Sequence, residues 1–270
     1  MQISFTHRRD DSTEQRAGGK VTGMTLPAPS HPPATAELPA PHGHDREPLV
    51  AAMFDRIAPT YDCLNDVISF GMHRAWKRKA VNALQLKAGQ TVLDVCTGTG
   101  DLLTYLGNVL GPQGHLVGVD VSADMLAVAK KRFGTTVTLH QASALQLPLQ
   151  DNSMDAAIVS FGLRNVDDVP KAISEMARVL KPGGHMVSLD TTPDPWLPGY
   201  WWYFDTIMPL VGRLMSGDVG AYQYLSESSK RFSPPAQLAE WFQASGLTNI
   251  SVRRLAFGSV AIICGQKPAG

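Results

Sequence analysis

The stretch TVLDVCTGTGD, residues 91–101, joins an apolar, β-branched run to a glycine-rich turn. The run predicts a buried strand, and the residues that follow Asp101 have the apolar spacing of a helix. Glycines between a strand and a helix let the backbone approach a ligand at points where a Cβ atom would collide with it. The stretch therefore predicts a strand–turn–helix unit that binds a ligand.

The chain beyond this unit continues to alternate strand and helix patterns, which is typical of βαβ units. Four further strands are predicted at HLVGVD (115–120), TVTLHQ (136–141), MDAAIVSF (154–161) and HMVSLDT (185–191). Near the end, SVRRLAF and SVAIICGQK lie either side of Gly258 and predict a closing antiparallel pair. We predict an α/β fold: a doubly wound, Rossmann-like, mainly parallel seven-stranded sheet with an antiparallel C-terminal strand and helices on both faces.

Composition excludes several classes of protein. The chain has 24 basic and 24 acidic residues, so no electrostatic attraction to nucleic acid is expected. Its three cysteines are far apart and odd in number, which argues against a disulfide framework and favours a reducing cytoplasm. No apolar run is long enough for a transmembrane helix, and no secretory signal is visible. We expect a cytoplasmic protein.

Residues 1–47 differ in composition from the rest of the chain. The segment LPAPSHPPATAELPAPHGH is rich in proline and has almost no large apolar side chains. Such a segment buries too little surface to offset the entropy of ordering, so we predict a disordered tail. His42 and His44 are read as solvated residues of this tail, and no metal is expected.

The glycine turn and an acidic residue after it indicate a nucleoside ligand. Asp120 follows Gly100 by 20 residues, the spacing at which a carboxylate reaches ribose hydroxyls. The turn contains Gly98 and Gly100 but lacks the third glycine of a dinucleotide site. Asp94, at the end of the first strand, would repel a pyrophosphate and suits the cationic groups of S-adenosylmethionine. An NAD-dependent oxidoreductase remains the alternative from another enzyme class.

These motifs resemble those of known methyltransferases. VLDVCTGTGD, GVDVSADML, LPLQDNSMD and ARVLKPGG resemble the ordered motifs of class I S-adenosylmethionine-dependent methyltransferases. MFDRIAPTYDCLNDVISFGMHRAWKR, SFGLRNVDD and YLSESSKRF resemble the ubiquinone/menaquinone biosynthesis C-methyltransferase family, over about residues 50–266. The resemblance implies a methyltransferase domain at 48–268, with an N-terminal helical lid at about 48–84 and an aromatic insertion at about 193–232.

The resemblance also implies which residues contact the methyl donor. In addition to Asp94, Gly98, Gly100 and Asp120, they are Thr99, Val121, Met125, Ser143, Ala144 and Ser160. Two positions depart from the family pattern. Thr97 stands where a glycine is often found, and Ser143 where an Asn or Asp usually binds the adenine amine. A serine hydroxyl can accept the same hydrogen bond.

The reaction implied is methylation of a ring carbon of a prenylated quinol, with demethylmenaquinol the first expectation. A ring carbon is a poor nucleophile until the neighbouring phenol, with its pKa of about 10, is deprotonated. Arg164 would stabilise the phenolate and Asn165 would bind a quinol oxygen. The candidate proton acceptors are Tyr61, Asp62 and His73. The alternatives are a loop salt bridge for Arg164 and a helix N-cap for Asn165, and an O- or N-methyltransferase of the same fold stays open.

The segment PWLPGYWWYFDTIMPLVGRLM, residues 195–215, is unusually aromatic. Prolines and the charges of Asp205 and Arg213 exclude a bilayer-spanning helix. We predict helices over the acceptor side and a weak, peripheral association with the inner face of the membrane through Trp201 and Trp202. An ordinary core-covering insertion is the alternative. The sequence leaves a homodimer open.

Overall fold

The structure is a computed structural model, and it describes residues 46–206 and 219–270. The predicted disordered tail, apart from its last two residues, lies outside the described residues, as do residues 207–218 of the aromatic insertion.

The predicted seven-stranded sheet is confirmed. Its strands are β1 (Thr91–Val95), β2 (His115–Asp120), β3 (Val137–Gln141), β4 (Met154–Ser160), β5 (Leu180–Thr191), β6 (Thr248–Leu255) and β7 (Val260–Gln266). Their order is β3-β2-β1-β4-β5-β7-β6. The first five strands pair in parallel, and β7 is antiparallel to both of its neighbours. The last strand of the chain therefore inserts between β5 and β6.

Helices cover both faces of the sheet. The helices of the described residues are α1 (Arg46–Ile57), α2 (Tyr61–Ile68), α3 (Met72–Ala83), α4 (Asp101–Leu110), α5 (Ala123–Phe133), α6 (Val169–Val179), α7 (200–206, as far as it is described), α8 (Val219–Arg231) and α9 (Pro235–Ala244). In the described ranges, no helix is long and apolar enough to cross a membrane.

Successive side chains of β1 point to opposite faces of the sheet, and the core accordingly has two layers. Leu93 and Val95 pack in the layer that contains α6 and α9, whereas Val92 packs with α3 and α4. A third apolar cluster lies apart from both layers and joins α1 and α5 to α7 and α8. The elements before β1 and after β5 are thus drawn together around Met125 of α5.

The fifth strand begins earlier than the sequence predicts. KPGG looks like a stop after α6, but β5 starts at Leu180 and passes through both glycines. Gly183 has φ +81°, and a Cβ atom on Gly184 would lie 2.9 Å from the carbonyl oxygen of Asp155. The register between β4 and β5 shifts at this point, so the glycines form an irregularity within the strand and not a loop before it.

The strand order reverses between β1 and β4. In open α/β sheets, ligands bind outside the carboxyl ends of the strands at this switch point. Gly98 follows β1, Asp120 ends β2 and Ser160 ends β4. The fold therefore brings these three residues to one edge of the sheet.

Candidate active site

A cavity of about 70 Å³, which we call the switch-point cavity, lies at this edge of the sheet. Side chains of α1, including Val50 and Phe54, form one of its walls. Six of the residues predicted to contact the donor line it: Gly98, Asp120, Val121, Met125, Ala144 and Ser160.

The polar groups of this cavity suit a nucleoside with hydroxyl groups. Asp120 accepts hydrogen bonds from the backbone N–H of Gly98 (2.8 Å) and of Ser122 (2.9 Å), which fixes its carboxylate. Burial raises the pKa of Asp120, although these backbone donors oppose the shift. Among the described residues, the buried Ser160 Oγ has no hydrogen-bond partner. A hydroxyl in this position can bind a ligand group.

The backbone of Gly98 is open towards the same cavity. Its φ is +56°, and among the described residues a Cβ atom there would meet only the sulfur of Met125, at 4.0 Å. Gly100, in the same turn, is different. It has φ +79°, and a Cβ atom would lie 2.7 Å from the ring of Phe133. Gly100 therefore permits close packing of α4 against α5 and does not line the cavity.

Asp94 is buried beside the cavity but does not line it. It has the same parity along β1 as Val92 and so lies on the side of α3 and α4. It accepts a hydrogen bond from the Thr97 hydroxyl at 2.7 Å. Burial raises its pKa to about 7, against the opposing effects of Thr97 and of the ammonium group of Lys77.

Thr99 and Asp62 meet each other outside the cavity. The Thr99 hydroxyl donates to Asp62 at 2.7 Å, and Arg132 at the end of α5 donates to the other carboxylate oxygen. Burial would raise the pKa of Asp62, but the two hydrogen bonds together with the positive charges of Arg132 and Lys77 lower it. Asp62 therefore joins α2 to the glycine turn. Ser143, whose hydroxyl accepts from the N–H of Leu145 at 3.1 Å, also lies outside the lining of the cavity.

A second, larger cavity of about 250 Å³ adjoins the first, and we call it the aromatic cavity. Helices α2, α3 and α7 and the turn between β6 and β7 surround it. Its aromatic walls are Phe70, Trp76, Phe161, Tyr200, Tyr203, Phe204 and Phe257. Its charged groups are Arg164 and Lys77, and Lys77 is paired with Asp101 at 2.7 Å.

Phe161 lines both cavities and so forms part of the wall between them. It follows β4 directly and has φ +57°, a conformation that is unfavourable for a bulky side chain. Unfavourable backbone conformations of this kind cluster at functional sites. The neighbouring Gly162 is required because a Cβ atom there would lie 2.5 Å from that of Cys96.

Arg164 lies on the wall of the aromatic cavity as a member of a buried ion pair. Its Nη1 donates to Asp190 Oδ1 at 2.6 Å and to the carbonyl of Phe161 at 2.7 Å. Burial alone would lower the pKa of Arg164, but the Asp190 carboxylate raises it above its usual value. Arg164 therefore forms the salt bridge that was its alternative interpretation, and the same side chain also lines the aromatic cavity.

Asn165 lines the switch-point cavity, not the aromatic one. Its side-chain oxygen accepts from the Tyr224 hydroxyl at 3.2 Å, and its Nδ2 donates to the Phe161 carbonyl at 3.4 Å. The N-cap alternative is wrong, because Asp168 caps α6 by accepting from the N–H of Lys171. Tyr61 lines the same cavity and packs edge-on against Phe54, with 5.9 Å between ring centroids.

His73 lines the aromatic cavity and is buried. The Ser69 hydroxyl donates its hydrogen to the carbonyl of Asn65 at 2.6 Å, so it accepts from His73 Nδ1 at 2.7 Å. This arrangement leaves Nε2 as the basic ring nitrogen. Burial, together with the ammonium of Lys77, lowers the pKa of His73, which keeps the ring neutral at neutral pH.

Sequence reasoning missed Asp190 and the double role of Phe161. The signal for the first was an acidic residue at the end of the predicted strand HMVSLDT, but its partner Arg164 lies in the turn after β4 and is brought to it by the pairing of β4 with β5. Nothing in the sequence indicated that Phe161 would separate two cavities. Within the described ranges, no group of three or more His, Cys, Asp or Glu side chains could hold a metal ion.

Comparison with known proteins identifies the family. A model of the ubiE/COQ5 methyltransferase family matches residues 42–267. The chain belongs to the ubiE/COQ5 methyltransferase family. It is therefore an S-adenosylmethionine-dependent methyltransferase, and the alternative of an oxidoreductase is excluded.

Relatives and solved structures agree with this family. The demethylmenaquinone methyltransferase of Desulfitobacterium hafniense is 41% identical over 235 residues, which cover 84% of this chain and 92% of that protein. The enzyme of the same name from Lactiplantibacillus plantarum is 40% identical, with 82% and 96% covered. A SAM-dependent methyltransferase from Aquifex aeolicus has a TM-score of 0.54 at 20% identity, covering 70% of this chain and 88% of that one. This last likeness shows the shared fold.

Proposed function

We propose that this enzyme transfers the methyl group of S-adenosylmethionine to a ring carbon of a prenylated quinol, with demethylmenaquinol as the acceptor. The names of the relatives support this substrate. The observation that carries the proposal is the aromatic cavity, which shares Phe161 with the switch-point cavity and presents Arg164 and His73 to its interior. An apolar cavity with a few polar groups suits an aromatic acceptor with an apolar tail.

The switch-point cavity would hold the donor, which supplies an electrophilic methyl group on a sulfonium. In this proposal, Asp120 binds the ribose hydroxyls, and the hydroxyl of Ser160 gains the partner that it lacks among the described residues. The open backbone at Gly98 admits the ligand beside Met125. Two of the four predicted donor residues that do not line the cavity would act by shaping the turn: Thr99 through Asp62, and Gly100 through packing on Phe133.

Arg164 would activate the acceptor. A guanidinium group stays charged at any physiological pH, so it donates hydrogen bonds and does not accept a proton. Its donors aimed at a quinol oxygen would lower the pKa of the phenol and favour the electron-rich phenolate. Asp190 holds the guanidinium in place and offsets the cost of burying its charge.

His73 would take up the proton that the acceptor loses. As the ring carbon bonds to the methyl group, the methyl–sulfur bond breaks, and restoring the aromatic ring releases one proton overall. His73 is neutral, with Nε2 left to accept it. It also lines a polar cavity of about 310 Å³ that contains Asp66 and Asp101, so the proton has a route away from the apolar site. The other two candidate proton acceptors are placed less favourably. Tyr61 lines the switch-point cavity, and Asp62 accepts hydrogen bonds from Thr99 and Arg132.

We also infer the domain organisation, with a methyltransferase domain at 48–268 and a lid at about 48–84. Val50 and Phe54 of α1 line the switch-point cavity, which at about 70 Å³ is smaller than the ~300 Å³ of an ordinary ligand pocket. Outward movement of α1 would admit the donor. The aromatic insertion at about 193–232 contributes Tyr200, Tyr203 and Phe204 to the aromatic cavity.

The enzyme would work in the cytoplasm, peripherally at the inner face of the membrane in which the prenyl tail is anchored. The sequence prediction assigned this association to Trp201 and Trp202; Trp202 is exposed, whereas Trp201 packs edge-on against Tyr200 and Phe204.

The test is to incubate the enzyme and labelled donor with reduced demethylmenaquinone and, separately, with a demethoxy-ubiquinone-type acceptor. We expect a ring C-methylated naphthoquinol as the main product, identified by mass spectrometry and NMR. Methylation on oxygen, or no methylation of either acceptor, would reject the proposed substrate.

A further inference from the structure

Four apolar side chains are exposed at the opening of the aromatic cavity. Phe70, Met72, Leu197 and Phe257 are 72%, 47%, 45% and 69% exposed, yet all four line the cavity. A side chain that is both solvent-exposed and part of a cavity wall lies at the mouth of that cavity. We call these four residues the rim. They come from three separate parts of the chain: the α2–α3 turn with the start of α3, the segment before α7, and the β6–β7 turn.

The two aromatic members of the rim are held in unfavourable backbone conformations. Phe70 has φ +49° and Phe257 has φ +53°, in the left-handed region that bulky residues avoid. Each residue therefore costs free energy through its backbone and through its exposed ring. Two such costs at one opening indicate a function for the exposed rings.

Backbone hydrogen bonds fix the shape of the rim segments. The N–H of Trp196 donates to the carbonyl of Phe257 at 2.7 Å, which ties the segment before α7 to the β6–β7 turn. The Trp196 ring lies over Gly258, where a Cβ atom would be only 3.1 Å away. The N–H of Met72 donates to the carbonyl of Ser69 at 2.9 Å and closes the other turn. The rim is therefore a preformed apolar surface.

Exposed basic residues lie on two of the elements that lead to or carry rim residues, α3 and β6. Helix α3 starts at Met72, contains no acidic residue, and carries Arg74, Arg78 and Lys79 on exposed positions. Arg253, four residues before Phe257, is also exposed. Two acidic groups near these segments are neutralised by basic ones, Asp66 by Arg74 and Asp194 by Arg254 at 2.8 Å. The basic charge of the border is therefore that of Arg78, Lys79 and Arg253. An apolar surface with a basic border complements a bilayer that contains anionic lipids.

We propose that the rim docks on an anionic lipid bilayer and that the mouth of the aromatic cavity faces the lipid. A prenylated acceptor then moves from the bilayer into the cavity between Phe70 and Phe257 without crossing water. The identity of the acceptor rests on the proposed function, but the docking surface rests on the exposed rim and its basic border. Because Trp202 does not line the cavity, docking at the rim requires no contact from this residue.

The test measures cosedimentation of the full-length protein with vesicles of phosphatidylcholine, with and without phosphatidylglycerol. Wild-type protein should bind the anionic vesicles. We expect the double variant F70S/F257S to bind about tenfold more weakly or worse, because two rings no longer enter the lipid. The matched control is W202S, which removes an aromatic ring that is 68% exposed but outside the mouth, and which should bind within about twofold of wild type.

A second variant tests the basic border. R78E/K79E should weaken binding to the anionic vesicles and have little effect on binding to phosphatidylcholine alone. A thermal unfolding midpoint close to that of wild type establishes that each variant is folded. The proposal is overturned if wild type fails to bind, if F70S/F257S binds as wild type does, or if W202S loses as much binding as the rim variant.

A second copy of the chain is the competing occupant of the rim. Sedimentation velocity without lipid measures whether the protein dimerises. A wild-type dimer that F70S/F257S converts to a monomer would overturn the lipid proposal in favour of a dimer interface. None of these binding measurements uses turnover.

Turnover measured separately distinguishes the docking proposal from the proposed function. Vesicle binding by an enzyme that methylates no quinol would reject the proposed function alone, and methylation of a detergent-solubilised quinol without vesicle binding would reject the docking surface alone.

Discussion

Arg164 and Asp190 form a buried ion pair, with 2.6 Å between Nη1 and Oδ1. Arg164 lies in the turn after β4 and Asp190 near the end of the neighbouring β5. Asp190 Oδ1 also accepts from the N–H of Thr191 at 2.8 Å, which fixes the carboxylate to the strand. The pair therefore holds a guanidinium at the wall of the aromatic cavity.

Replacing Arg164 by Ala should abolish methyl transfer and destabilise the protein by about 3–5 kcal/mol, because Asp190 is left buried and unpaired. Arg164→Lys keeps the charge but not the fork of donors, so we expect kcat to fall by about 10²–10³-fold with little change in donor affinity. Calorimetry with S-adenosylmethionine and turnover of the quinol measure the two effects.

The control for stability is the double variant R164Q/D190N, which removes both charges and keeps polar side chains at both positions. It should be more stable than R164A and equally inactive. If donor affinity falls in parallel with turnover in R164K, Arg164 supports the donor site and does not act on the acceptor.

His73 should determine the acid side of the pH profile. Burial lowers its pKa, so the neutral, proton-accepting form persists below pH 6.5 and turnover should fall only as the pH drops through the lowered pKa. His73→Gln should reduce kcat by about 10²–10⁴-fold and remove this acid limb. Ser69→Ala, which keeps the imidazole but loses the partner of Nδ1, should have a smaller effect. An unchanged acid limb in H73Q would exclude His73 as the proton acceptor.

The two glycines of the turn after β1 should respond differently to alanine. G98A strains the backbone and should cost about 1–2 kcal/mol, because a Cβ atom there meets no atom of the described residues closer than 4.0 Å. G100A combines the same strain with a clash against Phe133 and should cost about 2–5 kcal/mol. Urea unfolding of both variants measures the difference. Equal losses of stability would contradict the assignment of Gly100 to packing. We also expect G98A to bind the donor more weakly, since its Cβ would project towards Met125.

Asp94 should make the protein less stable as the pH rises from about 4 to 7. The folded-state pKa is raised to about 7 by burial, whereas the unfolded value is about 3.9. Across this window the unfolded chain ionises while the folded chain stays protonated, which removes up to about 1.4 kcal/mol of stability per pH unit. Asp94→Asn should therefore stabilise the protein relative to wild type increasingly up to pH 7, and by a constant amount above it. A difference in unfolding free energy that does not change with pH would show that Asp94 is already ionised in the folded state.

Much of the site could be predicted because it depends on where strands end. Gly98, Asp120 and Ser160 follow or close buried strands, and parallel strands present their carboxyl ends at one edge. Thr99 could not be assigned in this way, since its hydroxyl bonds to Asp62 of a helix 37 residues earlier in the chain. Asp190 was missed for the same reason, because its partner Arg164 is 26 residues away and reaches it only through the pairing of β4 with β5.

The sequence by itself determined the α/β fold, the family and the edge of the sheet at which ligands bind, because apolar periodicity and glycine turns are local properties of the chain. Only the tertiary structure decided that Arg164 and Asn165, adjacent in the sequence, line different cavities. In the short 3-10 turn Leu163–Asn165, one residue step rotates the side chain by about 120°, so neighbours point in different directions. What each then meets is set by distant elements: β5 supplies Asp190 to Arg164, and α8 supplies Tyr224 to Asn165.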